Sequence, residues 1–333
     1  MSVGFTESVV EEAALEWFAE LGYSTLAGPE IAPGELLAER DSFADVVLVK
    51  RLLGALYSLN PNLPTEAIDD ALRKITRSEA PSLIANNRAL HRMRVDGIEV
   101  EYRRVDGSIA GDRVLLIDSE ANDWLAVNQF TVIEGQHNRR PDVIVFLNGL
   151  PIATVELKNA AGEDATAYNA FKDIETYKLQ IPSLFLNNEV LIVSDGLEAR
   201  AGTISADWER FMPWRTIEGE ELASPVMPQL EVLLRGMFEK RRFLDLLRYF
   251  IVFEEDESGE VIKKMAGYHQ FHAVNKAVEA TLRAVLGDRD EAAHPQAAHP
   301  QATHPQATHP LPSPLPKGEG DRKRFHPEHF RYR

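Results

Sequence analysis

Residues 139–159, RRPDVIVFLNGLPIATVELKN, constrain this chain more than any other stretch. Two apolar runs, 143–147 and 152–155, flank Asn148 and Gly149. An Asn-Gly pair between such runs is the strongest short-range signal for a β-hairpin, so the chain turns back on itself here. The fold-back returns Glu156 and Lys158, two residues apart and on one strand face, to the neighbourhood of Asp142. Register then decides what meets what. A two-residue loop sets Asp142 opposite Val155 and turns it away from Glu156; a three-residue loop, 148–150, with a left-handed bulge sets it opposite Glu156. The expectation is the three-residue loop, with two carboxylates and a lysine converging.

Such a constellation has a physical use. Two oxygen ligands on adjacent strands suit Mg²⁺, which keeps most of its waters and binds a substrate phosphate beside them. A metal there lowers the pKa of a bound water, and the Lys158 ammonium can orient that water or stabilise the developing charge. This is phosphodiester hydrolysis chemistry. A solvated strand end with an ordinary Glu/Lys pair gives the same letters in a chain that is 26% charged. Context favours a site: an apolar strand enters directly from Pro141-Asp142, and the returning strand ends in charged residues.

This stretch resembles the nuclease core of the PD-(D/E)xK superfamily, in the form found in the restriction (R) subunit of type I restriction-modification enzymes. The resemblance also rests on TESVVEEAALEWFAELGY (6–23), QIPSLFLNNEVLIVSDG (180–196), WERFMPW (208–214), RFLDLLRYFIVFE and KKMAGYHQFHAVNKAVEATLRA, the last ending near residue 284. It implies an α/β fold, a mixed sheet flanked by helices, over residues 1–220. A helical linker and the start of a helicase-like motor would follow over 221–286. It also implies a Mg²⁺-dependent endonuclease acting on double-stranded DNA, with metal ligands at Asp142, Glu156 and Leu157 and catalytic roles for Asp142, Glu156 and Lys158. Methyltransferase and specificity subunits are the implied partners, and ATP is the implied motor cofactor.

Other residues carry two readings each. Residues 8–21 show the i, i+3, i+4, i+7 apolar stripe of an amphipathic helix ending at Gly22. Within it, Ser8-x-x-Glu11 reads as a capping box, whereas by resemblance Glu11 matches the first-helix acid bordering the family's metal site. Arg139 and Arg140 read as a charged turn or as phosphate contacts. Residues 164–179 read as a helix in which Tyr177 is a core aromatic or, by resemblance, part of a catalytic Gln-x-x-x-Tyr element. Here the Gln position is Asp173, an acceptor-only group that adds negative charge. Gln270 is a polar helix-start residue on sequence alone, and by resemblance part of an adenine-reading element.

The rest of the chain sets the frame. Its pattern is helical over 42–85, strand-like at GIEVEYRR, RVLLID and WLAVNQFTVIEG, and helical again over 230–253. With 333 residues, 44% of them hydrophobic, it can bury a sizeable core. The absence of Cys removes disulfides and thiolate metal sites, and no apolar run approaches the ~18 residues of a membrane span. A soluble cytoplasmic protein is expected. The net charge of −16 argues against a free-standing, non-specific DNA binder, so partners or another domain should hold the DNA.

Beyond residue 286 the resemblance stops. The phosphate-binding loop G-x-x-x-x-G-K-[ST] occurs nowhere in the chain. In its place stand His294, His299, His304 and His309, each followed by Pro, and a basic tail. Such low-complexity sequence cannot bury a core, so 287–333 is expected to be disordered and the motor truncated. Two functions compete: a nuclease that cuts but cannot translocate, and a non-catalytic remnant or interaction module that docks on the methyltransferase core. A stand-alone junction-resolving nuclease is a third reading.

Overall fold

A computed structural model describes residues 7–77, 80–158, 166–257 and 259–293. In chain order the elements are α1 Glu7–Glu20, β1 Ser24–Ala27, α2 Val49–Leu59, α3 Thr65–Thr76, α4 Leu83–Asp96, β2 Ile98–Arg103, β3 Ile109–Val114, β4 Trp124–Asn128, β5 Val132–Glu134 and β6 His137–Arg139. There follow β7 Val143–Leu147, β8 Leu150–Leu157, α5 Ala167–Gln180, β9 Val190–Ser194, β10 Ala199–Gly202, α6 Gln229–Met237, α7 Lys240–Tyr249, β11 Ile251–Glu255, β12 Val261–Met265 and α8 Tyr268–Ala293. The chain divides into two compact units, one ending at Ala273 and one beginning at Val274. The described part of the second is the remainder of α8.

A six-stranded mixed sheet, ordered β1-β4-β7-β8-β9-β10, organises the first unit. Strands β4, β7 and β8 run antiparallel to their neighbours in that series, while β1 pairs with β4 and β8 with β9 in parallel. Every residue of β7 and β8 is buried, as expected of near-continuous apolar strands covered on both faces. On one face Val143, Val145, Leu147, Val155 and Leu157 join Val10, Ala14 and Phe18 of α1. On the other, Ile144 and Phe146 join Ala170 and Ile174 of α5. This architecture is consistent with the restriction-endonuclease-like arrangement that the sequence implies.

The turn corrects the expected loop. Leu147 pairs with Leu150, so the loop is the two-residue Asn148-Gly149, with positive φ at both positions (53° and 79°). This is the type I′ geometry that Asn-Gly favours. The shift of register comes instead from within β8. Phe146 faces Pro151 but Val145 faces Ala153, leaving Ile152 as the extra residue of a β-bulge. Pro151 has no N–H to give the ladder, which suits an irregularity at that point. A Cβ on Gly149 would lie 2.5 Å from the Leu48 carbonyl oxygen, so glycine is required on steric as well as conformational grounds.

That contact also explains why residues 42–48 are not helical. Leu48 donates its N–H to the Gly149 carbonyl (2.9 Å), and the helix starts only at Val49. The expected RVLLID strand likewise stops at Val114, because the next residue, Leu115, donates its N–H to Asn60 Oδ1 (2.8 Å) and its carbonyl accepts from Asn60 Nδ2 (2.9 Å). Over 230–253 the expected helical region is two helices and the start of a strand, with Glu239 capping α7.

No break in packing falls near residue 220. Phe238 and Phe243 stack at 4.6 Å, Phe18 of α1 meets Phe238 edge-on, and the Tyr23 hydroxyl donates to the Phe238 carbonyl (2.9 Å). Helices α6 and α7 therefore close the same core as α1 rather than leading out of it. Helix α8 continues to Ala293, past the expected tail onset, since no Pro interrupts the chain before Pro295. The His-Pro repeat and basic tail, 294–333, lie outside the described residues.

A buried charged clasp secures the β11–β12 hairpin. The Glu189 carboxylate, fully buried, accepts from Lys263 of β12 (2.5 Å), from Arg94 of α4 and from His91 Nδ1 (3.0 Å). Lys263 also donates to Asn87 Oδ1 (2.9 Å) and the Asn188 carbonyl (2.8 Å). Burial alone would raise the Glu189 pKa, but His91 and the Lys263 and Arg94 cations hold it far below the usual carboxylate range. Lys263 is pushed down to about 8, chiefly by burial, with Glu189 opposing.

Candidate active site

The bulge decides which side chains meet. Beyond it the register is Ile144 to Thr154 and Val143 to Val155, and one further step carries Asp142 to Glu156. Alternation along the strands places Asp142, Glu156 and Lys158 on the α5 face of the sheet. The expected convergence is thus reached by a tight turn plus a bulge instead of a longer loop.

Asp142 is buried and anchored twice. Its Oδ2 accepts the Leu157 N–H (2.6 Å), and its backbone carbonyl accepts the Gln129 N–H (2.9 Å). Leu157 contributes main chain to this corner, since its side chain is buried in the layer beneath. Glu156 is 3% exposed, and its Oε1 accepts from Tyr177 Oη of α5 (3.1 Å) and Lys158 Nζ (3.3 Å). Its Oε2 is buried with no hydrogen-bond partner. Burial pushes the Glu156 carboxyl up to about 7, against the Lys158 charge and the Tyr177 hydrogen bond, which lower it. Burial raises the Tyr177 pKa as well, helped by the Glu156 charge, so the phenol stays a donor.

Lys158 has a second partner that the sequence flagged only as a departure. Asp173, one turn before Tyr177 on α5, takes the ammonium at 2.6 Å. Burial works to lower the Lys158 pKa, but the Asp173 hydrogen bond and the Glu156 charge outweigh it and raise it. Helix α5 is fixed by Thr166, whose hydroxyl caps Asn169 N–H (3.2 Å).

Glu11 enters from the other face. It lies buried in α1, and Ser8 sits inside the same helix rather than ahead of it, so the capping-box geometry does not apply. Its carboxylate accepts from the Gln129 side-chain amide (2.7 Å) and, at 3.5 Å, from Asn128. Arg139 donates to Gln180 Oε1 at the end of α5 (2.5 Å). Gln270 lies away from this constellation in sequence and sits in the first turn of α8, where its Oε1 accepts the Gly267 N–H (2.9 Å). Gln129 was missed by the sequence reading, since a polar residue after a strand carries no local signal of what it will touch.

On the α5 face Asp142, Glu156 and Asp173 face the single ammonium of Lys158, a formal excess of negative charge, and the buried Glu156 Oε2 has no donor. A divalent cation satisfies both conditions, so the donor set fits Mg²⁺ through Asp142, Glu156 and the Leu157 main chain. Among the described residues no group of three or more His, Cys, Asp or Glu side chains has metal-binding geometry, so such a site relies on main chain and water for its remaining ligands.

The raised Glu156 pKa has a measurable consequence for stability. The folded state keeps this proton up to about pH 7, whereas the unfolded chain releases it near 4.5. Stability contributed by the group is therefore lost as pH rises through that window. In EDTA, Glu156→Gln should melt with wild type at pH 4 and become the more stable protein by pH 8, by on the order of 2–3 kcal/mol. A constant offset between the two melting curves across that range would contradict the assignment.

A mixed sheet with acidic and basic side chains gathered at the ends of two central strands defines an α/β protein of restriction-endonuclease-like architecture. Residues 4–210 match the family described as the type I restriction enzyme R protein N terminus. The chain belongs to that family. It is 37% identical over 291 residues to the type I restriction enzyme HindI endonuclease subunit of Haemophilus influenzae, covering 85% of this chain and 28% of that protein. It is 33% identical over 300 residues to the putative type I restriction enzyme MjaIXP endonuclease subunit of Methanocaldococcus jannaschii, with 84% and 28% covered. The chain thus spans little more than a quarter of the length of these relatives. Among the described residues no helix is long and apolar enough to cross a membrane.

Proposed function

We propose that this chain is the endonuclease region of a type I restriction enzyme R subunit, hydrolysing phosphodiesters of double-stranded DNA with Mg²⁺. The observation that carries this reading is the orientation of Glu156. Tyr177 and Lys158 both donate to Oε1, leaving Oε2 buried and undonated on the strand residue that faces Asp142 in register. Mg²⁺, when bound, supplies an acidified water and charge neutralisation at the phosphate. The chain's own residues do the rest. Asp142 and Glu156 present oxygens from adjacent strands, and the Leu157 N–H fixes the Asp142 carboxylate. Tyr177 holds the Glu156 rotamer. Lys158, a cation at neutral pH, orients the attacking water and stabilises charge on the phosphate oxygens. The relatives are named as subunits, and this with the net charge of −16 supports an assembly in which other chains help to position the DNA; methyltransferase and specificity subunits fill that place in this reading. ATP, in this reading, serves a motor to which the present chain contributes no phosphate loop.

One observation favours the alternative, a docking module without catalysis. The Lys158 ammonium lies nearer Asp173 (2.6 Å) than Glu156 (3.3 Å), so Asp173 competes for the cation the chemistry would use. A single experiment addresses both readings: nicking of supercoiled plasmid in Mg²⁺ or Mn²⁺ at high protein concentration, for wild type, Glu156→Ala and Asp173→Gln. Slow, sequence-independent nicking is expected from wild type and none from Glu156→Ala, with Asp173→Gln equal to wild type or faster, since it removes a negative charge near the scissile phosphate. Equal inactivity of all three folded proteins would leave the docking module as the better reading.

A further inference from the structure

Helix α5 meets the strand ends through one stripe of side chains. Asp173, Tyr177 and Gln180 stand at i, i+4 and i+7, the spacing that sets three residues on one helical face. Asp173 takes Lys158 (2.6 Å), Tyr177 donates to Glu156 (3.1 Å), and Gln180 accepts from Arg139 Nε (2.5 Å). The first two contacts belong to the site already described. The third brings a guanidinium to the same flank, about one turn further along the helix, from a residue three positions before Asp142.

Arg139 ends the β5–β6 hairpin, which is fastened to this end of α5 at two points. Besides the Arg139 contact, Glu134 Oε2 accepts from the Ser183 N–H (3.0 Å) and hydroxyl (2.7 Å) just beyond the helix. The hairpin therefore stands as a fixed lip beside the strand ends, with His137, Asn138 and Arg140 exposed along it. The kind of partner matters more than the tether. In this acidic chain Arg51, Arg94, Arg113 and Arg235 are each held by a carboxylate. Arg139 is held by a neutral amide, and through Nε alone. Among the described residues its two terminal nitrogens, which carry the other four N–H donors of the group, have no hydrogen-bond or ion-pair partner. A half-exposed fork, oriented along one edge and with its charge uncompensated, is the form in which arginine takes a phosphate through two parallel N–H···O bonds.

The charge of the corner calls for such a group. Asp142, Glu156 and Asp173 repel a phosphodiester, and the Lys158 ammonium is already shared between two of them. We infer that Arg139 binds a backbone phosphate of the DNA strand at this site, with Gln180 as the positioning residue that fixes its Nε edge and leaves the fork open. This rests on the nuclease reading given above and adds a substrate contact to it. An amide suits position 180, since it accepts from Nε without neutralising the charge that a phosphate would use.

A mere tether and a phosphate contact separate experimentally. Gln180→Glu keeps an acceptor for Nε and strengthens the hold of the hairpin on α5, but it neutralises the guanidinium. The readout is fluorescence anisotropy of a short labelled duplex of arbitrary sequence with the full chain at high protein concentration, in Ca²⁺ over a salt series starting from low salt. Melting temperatures and plasmid nicking in Mg²⁺ accompany it. Arg139→Ala should weaken binding about 10-fold and reduce the slope of log affinity against log salt by about one. Arg139→Lys, which keeps the charge and loses the fork, should retain the slope and recover part of the affinity. Gln180→Glu should weaken binding without lowering the melting temperature. Arg73→Ala removes one exposed positive charge from α3, on the α1 face of the sheet, and should match wild type in affinity and slope. Wild-type affinity and slope in a folded Arg139→Ala, while wild type nicks plasmid and Glu156→Ala does not, would overturn the role of Arg139 and leave the nuclease reading standing. Equal losses in Arg139→Ala and Arg73→Ala would overturn it as well, because net charge alone would then account for both. Unchanged or tighter binding by Gln180→Glu would overturn the positioning role of Gln180. Binding that depends on Arg139 in a wild type that never nicks would overturn the nuclease reading and keep the phosphate contact. Failure of wild type to bind the duplex at all would overturn both.

Discussion

Glu189→Gln is expected to destabilise the compact unit by about 3–5 kcal/mol, because it removes the carboxylate that Lys263 and Arg94 share in a fully buried site. The amide is nearly isosteric, so the loss comes from charge and not from a cavity. Two cations are left without an anion where water cannot reach them; Lys263 can shed its proton, but the Arg94 guanidinium stays charged and pulls the structure open. Urea unfolding at pH 7 should show a lower midpoint at similar slope. The sign of the pH dependence follows from the depressed pKa of the wild-type group. Its contribution is fully present above the unfolded value near 4.5 and is lost as pH falls through the folded value. The difference between variant and wild type should therefore be constant at neutral pH and shrink in acid. Adding Lys263→Met should recover part of the loss, since it removes one of the stranded charges. A midpoint shift below the equivalent of 1 kcal/mol at pH 7 would show that water or rearrangement already relieves this site.

Lys158→Ala should lower nicking by about 10²–10³ while leaving Mn²⁺ binding near the wild-type level. The ammonium is suspended between Asp173 (2.6 Å) and Glu156 (3.3 Å), and both carboxylates strengthen its charged form. It therefore acts as a positioned donor at neutral pH rather than as a base. Its removal leaves Asp142, the Glu156 Oε2 and the Leu157 main chain in place, so the loss should appear in turnover and not in metal affinity. The comparison with Glu156→Ala separates the roles, because that variant should lose both. Parallel losses of binding and turnover in Lys158→Ala would instead mark the lysine as part of the scaffold that holds Glu156.

Much of this was legible in the sequence, and the parts that were not share a cause. Asn148-Gly149 is a local signal, so the hairpin could be read directly, as could the stripes of α1 and α5. The bulge at Ile152 could not, because its letters are those of an uninterrupted apolar strand; the loop length was misjudged while the facing pair was not. Leu48 has the character of a core helix residue, yet its N–H is taken by the Gly149 carbonyl of a distant turn, and the helix starts only at the next residue. The Glu189–Lys263 pair, the seat of α6 and α7 on α1, and the Gln129–Glu11 contact all join distant parts of the chain. Periodicity reports what a segment would bury, not which partner it meets. Asp173 was visible as a departure from the family's glutamine, but its hold on Lys158 depends on how α5 lies across the sheet.

The bulge makes the site sensitive to the number of residues in β8 as well as to their kinds. Asp142 faces Glu156 only because Ile152 stands outside the ladder; were Ile152 to pair in series, the register set at the turn would carry Asp142 to Val155. A lineage that gained one codon between Gly149 and Glu156, paired in series, would retain every acidic and basic letter of the motif and present Asp142 and Glu156 on opposite faces of the sheet, whereas loss of Ile152 itself would only remove the bulge. Conservative replacement of the aliphatic residues in this hairpin would do far less. Variation in this stretch should therefore accumulate as substitutions and not as insertions, and a relative that keeps Asp142, Glu156 and Lys158 with an extra residue in the returning strand should be read as an inactive scaffold until its register is known.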